Sequence, residues 1–176
     1  MPIRTNEPRQ AVLRQWVETL EQAAHDTADA PLLAWSIRLL DALVDNEPVL
    51  ACLSGLLAHG QLSTAARSWA HTYRGQRLYL SDRDEESLIE LDHAIAHDAH
   101  NAHAWGRRGK THRWLGHHDR AIADLTTALE LNPTLTWALA ERGEIHRQAS
   151  RYEQAIADFT TALELDPTYA WALGSR

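Results

Sequence analysis

The most constraining feature of this chain is a sequence interval that recurs along its second half, a period of about 34 residues. Gly109 is as far from Gly75 as Gly143 is from Gly109, and an arginine precedes each of the three glycines. The segments RAIADLTTALELNP (120–133) and QAIADFTTALELDP (154–167) differ at only three positions. A fixed period of this length indicates a repeat architecture, in which each unit buries its apolar face by stacking on its neighbours.

Each unit has the pattern of a helical hairpin. Apolar residues return every three or four positions, as one face of an amphipathic helix requires. The pattern predicts helices over 102–115 and 119–131 in one copy and over 136–149 and 153–165 in the next. Pro133 and Pro167 follow the second helices and end them, because proline cannot continue a helix. Ala and Leu far outnumber Ile and Val, so the predicted fold class is all-α.

This pattern resembles the tetratricopeptide repeat. The resemblance depends on the Arg-Gly pairs, the Ala-Ile-x-Asp starts at 121–124 and 155–158, the Ala-Leu-Glu-Leu ends and the prolines. It implies a right-handed superhelical solenoid with repeats at 68–101, 102–135 and 136–169. The first repeat departs from the pattern, because Ser87 and Ala99 replace the alanine and the proline of the other two. Residues 170–176 repeat the start of a unit and predict a truncated fourth repeat.

The segment 1–67 is predicted to be a helical N-terminal region. Its pattern predicts helices at about 8–25, 31–45 and 48–59, with Gly60 as a helix stop before a longer helix from about 62 to 81. Trp35 lies in register with the repeats, whereas Asp41 stands where glycine is expected. A cap and a divergent repeat both remain open interpretations.

The resemblance implies that the first helix of each pair lines a concave groove that receives a peptide. Five basic and three acidic residues give 102–135 a net charge of +2, in a chain whose net charge is −7. The expected partner is therefore a protein or peptide that carries acidic and apolar residues. The chain lacks the Lys and Asn arrangement of the dicarboxylate clamp found in chaperone-binding members of that family, so a chaperone tail is not the expected ligand. The corresponding places are occupied by Gly106, Lys110, Ala140 and Glu144. The predicted groove residues are Trp69, Tyr73, Gln76, Tyr79, His103, Arg107, Lys110, Arg113, Trp114, Trp137, Glu141 and Glu144.

A second set of charged residues suggests a structural role. Each arginine of the Arg-Gly pairs is followed, at one constant interval, by an acidic residue on the second helix of the same hairpin. Since the two helices run antiparallel, we expect an ion pair within each repeat that fixes the hairpin register. The expected pairs are Arg74 with Glu90, Arg108 with Asp124 and Arg142 with Asp158.

The sequence predicts a non-catalytic protein without a cofactor or a metal. It has neither a Gly-x-Ser-x-Gly elbow nor a glycine-rich phosphate loop. His93 and His97 lie one helical turn apart and could chelate zinc. Two histidines at this spacing are not a specific sign of a metal site, so the preferred interpretation is that both side chains face solvent near a helix end. Single-stranded RNA binding, through the groove cations beside Trp114, is a weaker alternative because the chain is acidic.

Composition also sets the expected surroundings of the chain. No run of apolar residues is long enough to span a membrane, and the polar N-terminus lacks a secretory segment. Cys52 is the single cysteine, so a reducing cytoplasm is expected. The terminal apolar residues Trp171, Ala172 and Leu173 predict either a continuing chain, as in a recognition domain of a larger signalling protein, or self-association through this end.

Overall fold

The computed structural model describes residues 46–58 and 62–169, and every regular element in these two ranges is a helix. None of these helices is long and apolar enough to cross a membrane. The predicted helices at 8–25 and 31–45, the stop at Gly60 and the fourth repeat at 170–176 lie outside the described residues. The elements are α1 (Asn46–Ala58), α2 (Thr64–Tyr79), α3 (Asp84–His97), α4 (Ala102–Trp114), α5 (His118–Leu131), α6 (Thr136–Gln148), α7 (Tyr152–Leu165) and a 3₁₀ turn (Pro167–Tyr169).

The helices form three successive hairpins. Helix α2 packs on α3, α4 on α5 and α6 on α7, and the second helix of each hairpin also contacts the first helix of the next. Helix α4 additionally contacts α2 and α6, whereas no comparable contact joins α3, α5 and α7 to one another within the described ranges. The first helices therefore form the inner face of the array.

Glycine allows the two helices of a hairpin to approach closely. A Cβ atom at Gly109 would lie 2.9 Å from Leu125 Cγ and 3.1 Å from the Ala121 carbonyl oxygen. At Gly143 it would lie 2.8 Å from Phe159 Cε1. The core at this level is built from small and medium side chains that are buried between successive hairpins: Ala121, Leu125, Ala128, Ala138, Leu139, Ile145 and Ala162.

The turns inside the three hairpins share one backbone conformation. Asp82, Gly116 and Ser150 occupy equivalent positions in the three repeats and have φ angles of 56°, 77° and 58°. This left-handed region is costly for residues other than glycine, so two of the three turns adopt it against their intrinsic preference. The repetition shows that the packing of the hairpin, rather than the local residue, sets the turn.

The ends of the second helices also repeat, with and without proline. Helices α5 and α7 end in extended caps at Asn132 and Asp166, directly before Pro133 and Pro167. Helix α3 ends in the same way at Asp98, although Ala99 follows it. At the start of α4, the Asn101 side chain accepts a hydrogen bond from the Ala104 amide and donates to Ser68 and Thr72 of the preceding repeat.

The predicted ion pairs within the repeats are confirmed. Arg108 donates from Nε and Nη2 to the two carboxylate oxygens of Asp124, both at 2.8 Å. Arg142 binds Asp158 in the same bidentate manner at 2.9 and 2.7 Å, and Arg74 Nη1 lies 3.3 Å from Glu90 Oε1.

Two of these arginines also reach the second helix of the preceding repeat. Arg108 Nη1 donates to Asp92 Oδ1 at 2.6 Å, and Arg142 Nη1 donates to Thr126 Oγ1 at 3.1 Å. In the sequence, each of these partners lies 16 residues before its arginine, and the acidic partner within the repeat lies 16 residues after it. One guanidinium therefore holds its own hairpin together and joins it to its neighbour.

Candidate functional site

The candidate site lies on the inner face formed by α2, α4 and α6. Its central part consists of side chains from the last turn of α2, most of α4 and the first half of α6. These side chains touch one another across the repeats, so the surface is continuous from α2 to α6. Three cations, one carboxylate and three large aromatic rings compose it: Arg107, Lys110, Arg113, Glu141, Tyr79, Trp114 and Trp137.

At the α2 end, two of the predicted groove residues pack on the preceding helix. Trp69 and Tyr73 stack on each other with their ring centroids 5.3 Å apart, and both pack against the apolar side of α1. Tyr73 is only 9% exposed, so its ring belongs to the core with Val49 and Leu53. The sequence predicts this helix as part of the N-terminal region. The repeat pattern does not indicate which side of it packs on α2.

Glu141 is the centre of an ion-pair cluster. Its carboxylate lies 3.1 Å from Lys110 Nζ and 2.6 Å from Arg113 Nε, so one acidic side chain of α6 contacts two cations of α4. Glu141 is 8% exposed. The charge count of residues 102–135 predicts a basic section, and the structure pairs two of its cations with a carboxylate of the next repeat.

An aromatic pair lies beside this cluster. The rings of Tyr79 and Trp114 meet edge to face with their centroids 6.4 Å apart, and Lys110 Nζ lies 5.7 Å from the centre of the Tyr79 ring. Trp114 is 62% exposed, so most of its indole ring faces solvent. Burial and the nearby Glu141 charge raise the pKa of Tyr79, so its phenol is protonated and uncharged at neutral pH.

A second aromatic group lies toward the N-terminal end of α4. The Arg107 guanidinium lies over the Trp137 ring at 4.8 Å from its centroid, and the exposed His103 ring stacks on the same indole at 6.4 Å. Gly106 makes room for this arrangement, because a Cβ atom there would lie 2.6 Å from Trp137 Cη2. This contact joins two successive repeats, so the pattern within one hairpin does not predict it.

The two remaining predicted residues, Glu144 and Gln76, lie on α6 and α2. Glu144 is 9% exposed and accepts hydrogen bonds from Arg147 and Gln148 of its own helix. Gln76 is half-buried on α2. The structure therefore brings together eight of the predicted groove residues around α4: Tyr79, His103, Arg107, Lys110, Arg113, Trp114, Trp137 and Glu141.

His71, His93 and His97 form a separate group between α2 and α3. His71 Nδ1 is 2.8 Å from Glu90 Oε2, and the His71 ring lies 5.3 Å from His93 and 5.4 Å from His97, measured between centroids. Burial, followed by the charge of His71, lowers the pKa of His97. Among the described residues, no group of three or more histidine, cysteine or acidic side chains is arranged to hold a metal ion.

Comparison with known proteins supports the repeat assignment. The sequence profile of the tetratricopeptide repeat matches residues 102–135 and 136–169. No curated protein sequence matches the chain. A solved structure of MamA is 18% identical, with a TM-score of 0.68 over 97% of this chain and 98% of that chain.

Two further solved structures are similar. YrrB, described as a TPR protein with an unusual peptide-binding site, is 16% identical with a TM-score of 0.67, covering 94% of this chain and 84% of that chain. The second TPR of Spaghetti (RPAP3), bound to the HSP90 peptide SRMEEVD, is 24% identical with a TM-score of 0.55, covering 57% and 93%. At these identities the similarity establishes the fold.

Proposed function

We propose that this chain, in which residues 102–169 match the profile of the tetratricopeptide repeat, is a non-catalytic scaffold that binds an extended peptide segment of a partner protein on the inner face of α2, α4 and α6. The fold supports a protein-interaction role, and one neighbour of the same fold is titled as bound to a peptide with three acidic residues. The inner face is where the side chains of three repeats meet, which gives a peptide several contacts at once.

The observation that carries the proposal is the composition of this inner surface. Lys110 and Arg113 contact the Glu141 carboxylate and Arg107 lies on the Trp137 ring, so three cations and one carboxylate leave an excess of two positive charges. This excess favours an acidic ligand and rejects a basic one, because like charges brought together are costly. Exposed Trp114 beside it supplies the large rigid apolar area typical of residues that dominate binding energy.

The proposal is tested with an array of short synthetic peptides that vary in acidic and aromatic content. We expect acidic peptides that contain an apolar residue to bind, and Trp114→Ala to weaken them about tenfold or more, as expected for a central aromatic contact. The matched control is Ile89→Ala, because Ile89 is 55% exposed on α3, away from the inner face.

Charge is tested in the same assay with Lys110→Gln. This change leaves Glu141 paired with Arg113, so no buried carboxylate loses all its partners. Its control is Arg120→Gln, which removes an exposed positive charge from α5. The proposal is wrong if no peptide binds, if the inner-face variants bind like their controls, or if a single-stranded oligouridylate binds tightly while every peptide fails.

Self-association is a second candidate, and one observation favours it. Ile122 of α5 packs against the hydrophobic core that α5 shares with the next hairpin, whereas Ile156, its equivalent on α7, is 63% exposed. Tyr152 on the same helix is 59% exposed. A second copy of the chain could cover this face. Light scattering across concentration tests the idea: a dimer that Ile156→Glu dissociates supports it, and a monomer at all concentrations excludes it.

A further inference from the structure

Among the three cations of the inner face, Arg107 differs from the other two in its partners. Lys110 and Arg113 both contact the Glu141 carboxylate. Over residues 46–58 and 62–169, no carboxylate lies within ion-pair distance of Arg107, and its guanidinium rests on the Trp137 ring instead. The repeat equivalents of Arg107 are Tyr73 and Glu141, so the arginine is not required by the repeat pattern.

The surroundings of Arg107 prepare it to bind an anion. Its side chain is partly buried between α4 and α6, and this burial lowers its pKa without removing the charge at neutral pH. A guanidinium that has already lost part of its water gains more from a carboxylate than a fully hydrated one does. Stacking on Trp137 also fixes the plane of the guanidinium, so little side-chain entropy is lost when a ligand binds.

Trp114 gives the distance to a second contact. It lies two turns beyond Arg107 on α4, and an α-helix rises about 1.5 Å per residue, so the two positions are about 10 Å apart along the helix axis. An extended peptide advances about 3.3 Å per residue. A peptide that runs along α4 from one position to the other therefore places its two contacting side chains about three residues apart.

We infer that Arg107 on Trp137 forms a carboxylate subsite, and that the peptide ligand carries an acidic residue and an apolar residue three positions apart, the acid at Arg107 and the apolar side chain at Trp114. This inference depends on the proposed function, because it specifies which peptide the inner face binds. The ion-paired Lys110 and Arg113 lie between the two subsites and contribute positive potential, with their direct contacts already made to Glu141.

The test uses three fluorescein-labelled decapeptides in a serine-glycine background, measured by fluorescence anisotropy. One carries Glu-x-x-Phe, the second Gln-x-x-Phe, and the third has glutamate and phenylalanine adjacent. We expect the first to bind about tenfold more tightly than either of the others. Arg107→Gln should weaken the Glu-x-x-Phe peptide to the level of the Gln-x-x-Phe peptide, and Arg107→Lys should restore part of the difference. Arg120→Gln serves as the charge-matched control.

The possible failures are distinguishable. If the wild-type protein prefers glutamate to glutamine and Arg107→Gln retains that preference, the carboxylate is bound by another cation, so the subsite is wrong while the proposed function stands. If the adjacent and spaced peptides bind equally, the spacing is wrong. If none of these peptides and none of the array peptides binds, both proposals fail. Circular dichroism and thermal melting of Arg107→Gln establish that the variant is folded before binding is compared.

Discussion

Replacement of Arg142 by alanine tests how the hairpins are held together. Arg142 makes two hydrogen bonds to Asp158 within its repeat, at 2.9 and 2.7 Å, and one to Thr126 of the preceding repeat, at 3.1 Å. Asp158 is 6% exposed. The substitution therefore leaves a buried carboxylate without the only cation that contacts it in the described part of the chain.

The expected cost can be estimated from this geometry. Breaking one side of a buried ion pair costs about 3–5 kcal/mol. The Arg142 side chain is 21% exposed, so water reaches part of the vacated space, and we expect the free energy of unfolding to fall by about 2–4 kcal/mol. In a protein of this size about 1 kcal/mol lowers the melting temperature by about 2–4 °C, so the expected decrease is roughly 5–15 °C.

The assay combines thermal melting with hydrogen exchange. Repeat arrays can unfold in parts, and exchange then shows where the stability is lost. We expect faster exchange in α6 and α7 and little change in α2 and α3. Arg120→Ala, which removes an exposed arginine, should change the free energy of unfolding by less than about 0.5 kcal/mol.

A double variant separates the contribution of the Arg142–Asp158 ion pair from that of side-chain packing. Arg142→Met combined with Asp158→Leu removes both charges, and replacing a buried ion pair by apolar side chains of similar size is often close to neutral. We expect it to be more stable than Arg142→Ala. The reasoning is refuted if Arg142→Ala melts at the same temperature as Arg120→Ala, or if exchange accelerates equally in all the hairpins.

Three further predictions concern packing, turn geometry and pH. Gly109→Ala should lower the free energy of unfolding by about 1–3 kcal/mol in a denaturant titration, because its Cβ atom would meet α5. Gly55→Ala should raise the free energy of unfolding by roughly 0.5–1 kcal/mol, since nothing lies within 4 Å of that Cβ position. Equal effects of the two substitutions would contradict the packing argument. Ser150→Gly should raise the melting temperature by a few degrees, because φ is 58° at this position and the left-handed conformation costs a residue other than glycine about 1–2 kcal/mol. A lower melting temperature would show that the serine side chain contributes more to stability than the backbone conformation costs. Burial lowers the pKa of His112 and His146, so their contribution to stability is present above their unfolded pKa of about 6.5 and is lost as pH falls through the folded pKa values. Replacing both histidines by leucine should therefore reduce the decrease in melting temperature between about pH 7.5 and pH 5. An unchanged decrease would show that other groups cause it.

The repeat period predicted more of the molecule than any single residue did. The helices α4 to α7 begin and end within one residue of the predicted bounds, because each apolar stripe and each polar turn recurs in the next repeat. The constant interval from Arg108 to Asp124 predicted a contact across an antiparallel hairpin, and the structure has it at 2.8 Å. These features depend on local periodicity and on the geometry of one hairpin, both of which are written in the sequence.

The character of the inner face was decided by contacts between repeats. Lys110 and Arg113 meet Glu141 from the next repeat, and Trp69 and Tyr73 pack on α1. Charge counts and helical positions cannot distinguish these outcomes, because they do not say how far one hairpin is rotated against the next.

The sequence by itself determined an all-helical array of stacked hairpins and the residues that hold each hairpin together. Only the tertiary structure decided that Arg107 lies on Trp137 while the neighbouring cations share one carboxylate. The physical reason is the range of the interactions. A hairpin is specified by residues close in the chain, whereas a binding surface depends on the small rotation between repeats, which brings side chains from successive repeats into contact.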